Sequence, residues 1–229
     1  MGLLRIEDDP LGEAFMVGAG KDAPDGARSR KNVLHVFDLH CDTLDRLALH
    51  GNGDAAFAYM EGDERIPHER MSSLLDNDGH ISLRRTGDFN WCQCFAVFIP
   101  DDVRGDAAWS FYLRIRDFFQ GECERHADFL EQVRTSGDAE AAFSAGKTAG
   151  MLTIEGAAFL ADDDQARPRL NAIAADGVRM VTLTWNGQNA LGSGNDTSSG
   201  LTSFGRRCVA ELEARDIVVD VSHLNDAGF

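Results

Sequence analysis

Apolar, strand-like runs alternate with helical segments along most of this sequence, and this alternation limits the folds that the chain can adopt. The runs predict strands at about 33–40, 91–99, 149–155, 178–184 and 217–223. Helices are predicted at about 45–50, 108–134, 139–145, 165–175 and 204–215. Strands that alternate with helices form parallel β-α-β units with right-handed crossovers. The sequence therefore predicts an α/β protein built on a parallel sheet.

Three segments fall outside this alternation. Residues 1–32 form a polar lead, for which the sequence predicts a short local structure or a mobile arm. The Gly/Asp/Ala-rich residues 51–64 predict a loop, and residues 66–90, which lack a clean period, predict an insertion with short strand or helix pieces. Within the helix predicted at 108–134, Gly121 could cause a break. Thr202 or Ser203 is the expected N-cap of the last helix.

The first strand-like run ends by presenting His40 and Asp42, which are two residues apart. Side chains alternate between the two faces of a strand, so residues i and i+2 project to the same side. An imidazole nitrogen and a carboxylate oxygen offered together are half of a divalent-metal site of the kind that zinc accepts. The alternative is that these two side chains only hydrogen-bond each other at the end of a strand.

Later runs end in residues of the same chemical kind. Glu155 ends the third run, His223 ends the fifth, and Asn186 and Asn189 follow the fourth. Active sites of α/β barrels lie at the C-terminal ends of the strands, so we expect Glu155 and His223 beside the first pair. The two asparagines could orient a substrate or form turns, and the sequence leaves both open. Strand alternation predicts that Asp220 lies on the side opposite His223, so it is not counted as a ligand.

Charge and cysteine content exclude some classes of partner and compartment. The chain has 22 basic and 38 acidic residues, a net charge of −16, and no Lys/Arg-rich stretch, which disfavours nucleic acid and anionic membranes as partners. Its five cysteines form no C-x-x-C pair, which favours a reducing compartment. No signal peptide or apolar run of about 20 residues is visible. We expect a cytoplasmic protein without a membrane anchor.

Four motifs carry a family resemblance: FDLHCDTL, LTIEGA, GVRMVTLTWNGQN and GLTSFGRRCVAELEARDIVVDVSH. In this order they resemble the membrane dipeptidase (renal dipeptidase-like) family of zinc metallopeptidases, peptidase family M19. The resemblance implies a (β/α)8 TIM-like barrel of amidohydrolase type with two Zn²⁺ ions at its mouth. By this likeness His40 and Asp42 bind the first ion, Glu155 bridges both and is the catalytic residue, and His223 binds the second. A metal-bridging hydroxide then hydrolyses the peptide bond of a dipeptide.

The departures from the family also carry expectations. The resemblance covers residues 33–229, the N-terminal part of a single metallopeptidase barrel domain, with about five of eight strands. Family members continue into three further strands that supply another zinc-binding histidine, an arginine and an aspartate, so we expect feeble activity from this chain. Trp185 stands where mammalian-type members have a histidine, so no role is carried over to it. Another amidohydrolase acting on a cyclic amide or lactam, a non-catalytic metal-binding remnant, and a homodimer stay open.

Overall fold

Six strands pair in parallel to form one sheet in the computed structural model, which describes residues 33–50 and 68–229. The strands are β1 (His35–Cys41), β2 (Asn90–Phe98), β3 (Leu130–Gln132), β4 (Thr148–Glu155), β5 (Met180–Thr182) and β6 (Val218–Asp220). The helices are α1 (Thr43–Leu49), α2 (Leu83–Thr86), α3 (Gly105–Arg125), α4 (Ser136–Ala145), α5 (Asp163–Asp176) and α6 (Ser203–Glu213), with a 3-10 turn at His68–Arg70. The protein is thus of the α/β class.

The strand order places the C-terminal ends of four strands side by side. The sheet runs β1-β2-β4-β5-β6, and β3 pairs with the beginning of β4. Phe98 is in register with Glu155, Glu155 with Thr182, and Thr182 with Asp220. Side chains at these positions therefore share one edge of the sheet.

The main path of five strands forms a half-barrel, as in an incomplete TIM-like barrel. Its edge strands β1 and β6 expose large apolar side chains, with Phe37 and Leu39 each 58% exposed and Val218 59% exposed. The central strand β4 is largely apolar, and seven of its eight residues are buried, so both of its faces are covered. Burial on both faces is typical of parallel strands covered by helices.

The five predicted barrel strands are confirmed, and one helix boundary is wrong. The sequence predicts a helix to residue 134, but α3 ends at Arg125 and the three-residue strand β3 follows it. The amide groups of Phe129 and Leu130 both donate to the carbonyl of His126, which forms a turn at this point. Phe129 is consequently 49% exposed instead of lying on the buried helical stripe. Gly121 does not interrupt α3.

Side-chain caps explain where two of the helices begin. Thr135 and Asp138 form a capping box, so α4 starts three residues before the predicted position. Thr202 accepts a hydrogen bond from the amide of Gly205 and is the N-cap of α6, as expected. Cys208 and Leu212 on this helix are buried in the core.

Several predictions concern residues that lie outside the described part of the chain. The polar lead at 1–32 and the loop at 51–64 belong to this group, so the proposed division of the chain at residue 32 stays a prediction. The insertion is described from residue 68 onward, where it contains the 3-10 turn and α2, the short pieces that the sequence predicts. No helix in the described ranges has the length and apolarity that crossing a membrane requires.

Candidate metal centre

Glu155, the last residue of β4, lies between His40, which is on β1, and His223, which follows β6. Its Oε2 is 3.4 Å from Nε2 of His40, and its Oε1 is 2.8 Å from Nε2 of His223. Asp42 Oδ1 lies 3.0 Å from the same His40 nitrogen. The four side chains that the sequence selects therefore meet at one edge of the sheet. Their role as metal ligands stays a prediction.

The donor set has the composition and spacing of a divalent-metal site. Ligand atoms of His40, Asp42 and Glu155 all lie within 4.8 Å of one another. His223 reaches this group through the second oxygen of Glu155. A carboxylate whose two oxygens face two separate imidazoles has the arrangement of a bridging ligand. His40, Asp42 and Glu155 thus form a candidate site for one metal ion, and a second ion beside His223 stays a prediction.

The backbone departs from regular strand geometry at His40 and directly after Glu155. The β1–β2 register shifts between Asp38 and Cys41, so the chain is irregular at His40. Asp42 occupies the N-cap position of α1 but makes no capping hydrogen bond, so its carboxylate faces His40 instead. Gly156 follows Glu155 with φ +88°, and a Cβ there would lie 2.8 Å from the carbonyl oxygen of Ile99. Glycine therefore allows the chain to turn directly after Glu155.

Burial and neighbouring charges shift the pKa values of the three clustered groups. Burial raises the pKa of Glu155, and the charges of His40 and His223 oppose this shift. The hydrogen bond to Asp42 raises the pKa of His40 against the effect of burial, and the charge of Glu155 adds to the increase. For Asp42, burial acts upward, but the hydrogen bond and charge of His40 outweigh it and the pKa is lowered. Each of these shifts thus arises from burial and from the contacts among the three groups.

His223 lies in a turn beyond the last strand, and this changes the expected position of Asp220. Strand β6 ends at Asp220, whose Oδ1 accepts hydrogen bonds from the amide (3.0 Å) and hydroxyl (2.5 Å) of Ser222. Its Oδ2 accepts from the hydroxyl of Thr182 at 2.6 Å. Asp220 and His223 line the same cavity, so their predicted placement on opposite sides is wrong. Alternation does not extend to His223 because the strand ends three residues before it.

The two asparagines have different surroundings. Asn186 Oδ1 lies 3.2 Å from Nδ1 of His223. Asn189 is buried; it donates to the carbonyl of Leu183 and accepts from the amides of Leu191 and Gly192. These hydrogen bonds to backbone groups agree with the interpretation of Asn189 as a turn-forming residue. A substrate-binding role for either residue stays a prediction.

An open cavity of about 200 Å³ lies beside Glu155. The residues that line it are Leu39, His40, Glu155, Met180, Thr182, Asp220, Ser222 and His223. Its volume is below the roughly 300–1,000 Å³ of sites that bind drug-sized molecules. The ring of Trp185, which does not line this cavity, packs edge-to-face on Phe98 with centroids 4.9 Å apart. The cavity therefore lies beside three of the four candidate ligands, His40, Glu155 and His223.

Comparison with known proteins agrees with these observations. The sequence profile of the membrane dipeptidase family, peptidase family M19, matches residues 29–229. This chain belongs to that family. The resemblance to this family that the four motifs indicate is thereby confirmed. The half-barrel is also confirmed as part of the TIM-like fold of the family.

Three related proteins show how much of the family fold the chain covers. A protein of Acinetobacter calcoaceticus, described as an uncharacterised protein in the PQQ-III 3′ region, is 27% identical over 86% of this chain and 65% of its own length. The structure of dipeptidase AC, an M19 metallopeptidase, is 25% identical, with a TM-score of 0.68 over 86% of this chain and 59% of that one. A metallopeptidase of Rhodobacter sphaeroides, solved with a phosphinate mimic of the dipeptide L-Ala-D-Ala, is 23% identical, with a TM-score of 0.67 over 86% and 61% of the two chains. The chain spans less than two thirds of each protein's length.

Asp45 is a residue near the centre that the sequence does not single out. It is fully buried in the first turn of α1, and its Oδ2 accepts a hydrogen bond from the amide of Phe98 at 2.9 Å. Phe98 is the register partner of Glu155, so this bond joins the segment after Asp42 to the strand end beside Glu155. Burial raises the pKa of Asp45 well above its usual value. An acidic residue early in a helix normally indicates a solvent-exposed position, which is why the sequence gives no signal for it.

We expect Asp45→Ala to destabilise the chain by about 1–3 kcal/mol, because the buried amide of Phe98 loses its acceptor. Asp45→Asn keeps an acceptor oxygen there and should cost less. Because the folded-state pKa is raised, the unfolded chain binds fewer protons at Asp45, and the free energy of unfolding falls as pH rises. The wild-type chain should therefore lose stability relative to Asp45→Asn as pH rises above the ordinary aspartate pKa of about 4, as measured by urea unfolding. A pH-independent difference would show that Asp45 is ionised in the folded protein.

Proposed function

We propose that this chain carries the metal centre of a zinc-dependent dipeptidase. One observation supports this most strongly: the two oxygens of the buried Glu155 contact two different histidines at the C-terminal edge of a half-barrel. His40 and Asp42 are proposed to bind the first Zn²⁺, His223 the second, and Glu155 both. Membership of the M19 family supports the same assignment.

Zinc is the metal that these donors favour. Neutral imidazoles together with carboxylates suit zinc, whereas magnesium prefers oxygen ligands alone. Zinc ions bound here would polarise the carbonyl of a scissile amide and provide a nucleophile from water at neutral pH.

The chain's own residues contribute geometry and charge to this reaction. Glu155 is the catalytic residue in the proposal: its carboxylate contacts both histidines, and it would hold both Zn²⁺ ions. Its backbone pairs with Phe98 on one side and Thr182 on the other, and its side chain is buried, which restricts its movement. Such preorganisation matters because small displacements of reacting groups reduce rates strongly.

A dipeptide is the substrate class that we propose. Membership of the membrane dipeptidase family supports it, as does the dipeptide mimic bound to the structurally similar Rhodobacter sphaeroides protein. We place this activity in a reducing compartment such as the cytoplasm, because all five cysteines are unpaired and four of them are buried.

The test measures hydrolysis of a panel of L,L- and L,D-dipeptides by purified protein after metal removal and after zinc is restored. If the gene encodes further residues after Phe229, the extended chain is assayed in parallel. We expect hydrolysis that depends on zinc and stops on chelation, with a low rate for the 229-residue chain. Hydrolysis of a lactam or cyclic amide panel, with none of the dipeptides, would identify a different amidohydrolase. Metal binding without turnover in either form would identify a non-catalytic protein.

A further inference from the structure

The imidazole of His223 has a separate partner for each of its nitrogens. Nε2 faces Oε1 of Glu155 at 2.8 Å, and Nδ1 faces Oδ1 of Asn186 at 3.2 Å. A histidine that binds a metal through one nitrogen usually donates the N–H of the other to a nearby oxygen, which fixes the ring orientation. Asn186 provides such an oxygen on the side away from Glu155.

We propose that Asn186 is a positioning residue, which holds the ring of His223 so that Nε2 points toward the metal position beside Glu155. This inference rests on the proposed metal centre and assigns Asn186 no contact with substrate. In it, Nδ1–H of His223 donates to Oδ1 of Asn186, and the lone pair of Nε2 stays available to a metal ion.

Asn186 itself is held by the packing of the loop after β5. Its carbonyl accepts a hydrogen bond from the amide of Asp196 at 2.8 Å. The next residue, Gly187, donates its amide to Oδ2 of Asp101 at 2.7 Å. A Cβ on Gly194 would lie 1.8 Å from the carbonyl oxygen of Trp185, so the two halves of the loop are in close contact. The side chain of Asn186 therefore extends from a backbone with little freedom.

The same loop contacts the segment that carries His223. Gly194 forms an antiparallel bridge with Leu224, and the amide of Asn225 donates to the carbonyl of Ser193 at 3.3 Å. These contacts lie directly after His223 in the chain. The described residues that line the cavity include His223 but not Asn186, which favours a role for Asn186 behind the ring over a contact with substrate.

The experiment compares stepwise zinc binding by the wild-type chain, Asn186→Leu and Asn186→Asp, using calorimetric titration of metal-free protein. Loss of a partner behind a metal-binding histidine typically costs 10–100-fold in affinity, so we expect Asn186→Leu to weaken the lower-affinity equivalent by about that factor and to leave the other unchanged. Asn186→Asp keeps an acceptor for Nδ1–H and should restore the affinity. The melting temperatures of the metal-free variants control for damage to the loop.

His223→Ala is the matched control. It should remove the lower-affinity equivalent, and adding Asn186→Leu to it should change nothing further in zinc binding. The positioning role would be overturned if Asn186→Leu weakened the binding of both zinc equivalents equally. It would also be overturned if Asn186→Leu lowered zinc affinity further in the His223→Ala variant. An unchanged zinc affinity with a raised KM for a dipeptide would also overturn it and indicate a substrate contact. If the wild-type chain binds no zinc, both the proposed function and the positioning role fail. If the wild-type chain binds zinc but the variants contradict the expected pattern, only the positioning role fails.

Discussion

Glu155→Gln is expected to weaken the binding of both zinc equivalents by about a hundredfold each. Structural zinc sites with four ligands have apparent binding free energies of about 10–16 kcal/mol, so one ligand accounts for about 3 kcal/mol, or roughly a hundredfold. Each oxygen of Glu155 faces a different histidine, so the substitution removes a charged ligand from both positions. The rate of dipeptide hydrolysis should fall by more than weaker zinc binding explains, because a saturating zinc concentration cannot restore the negative charge of Glu155.

The measurement is zinc titration of metal-free protein, followed by assays at zinc concentrations that saturate the variant. Glu131→Gln is the control, since Glu131 is a half-exposed residue of β3 that pairs with Lys147 away from the centre. It should bind zinc as the wild-type chain does. If Glu155→Gln weakened only one equivalent, Glu155 would be a terminal ligand, and the two-ion proposal would have to be abandoned.

The purified chain should keep about one zinc equivalent through dialysis, held mainly by His40, Asp42 and Glu155. These three residues bring their ligand atoms within 4.8 Å of one another, whereas His223 meets this group through Glu155. Two neighbouring cations repel each other strongly, and the described residues offer few groups to offset that repulsion. The second equivalent should therefore bind more weakly.

Metal analysis of dialysed variants tests this difference between the two positions. His40→Ala and Asp42→Ala should lose the retained zinc, and His223→Ala should keep it. His35, a histidine at the opposite end of β1 that contacts Asn90, provides the control substitution His35→Ala. Two tightly held equivalents in the wild-type chain would contradict the prediction. Retention by His40→Ala would show that the ion binds elsewhere.

Local sequence patterns predict most of the sheet but not the boundary after α3. The runs that become β1, β2 and β4 are long and apolar, and each ends at a polar residue or a proline, so their type and limits are visible in the sequence. Phe129 and Val133 are four residues apart, a spacing that fits a helix, yet they lie in a turn and after a short strand. Pairing of Leu130 with Thr148 on β4 decides this, and a contact between residues so distant in sequence leaves no local pattern.

The sequence by itself determined which residues meet at the centre. His40, Asp42, Glu155 and His223 each lie at or just after the end of a recognisable strand, and parallel strands bring their C-terminal ends to one edge of a sheet. Only the tertiary structure decided what surrounds them. Asp220 joins the cavity because β6 ends early, Asn186 faces His223 because two loops bridge, and Asp45 is buried because α1 packs against the end of β2. Each outcome depends on a contact between distant segments, and strand and helix periods carry no information about such contacts.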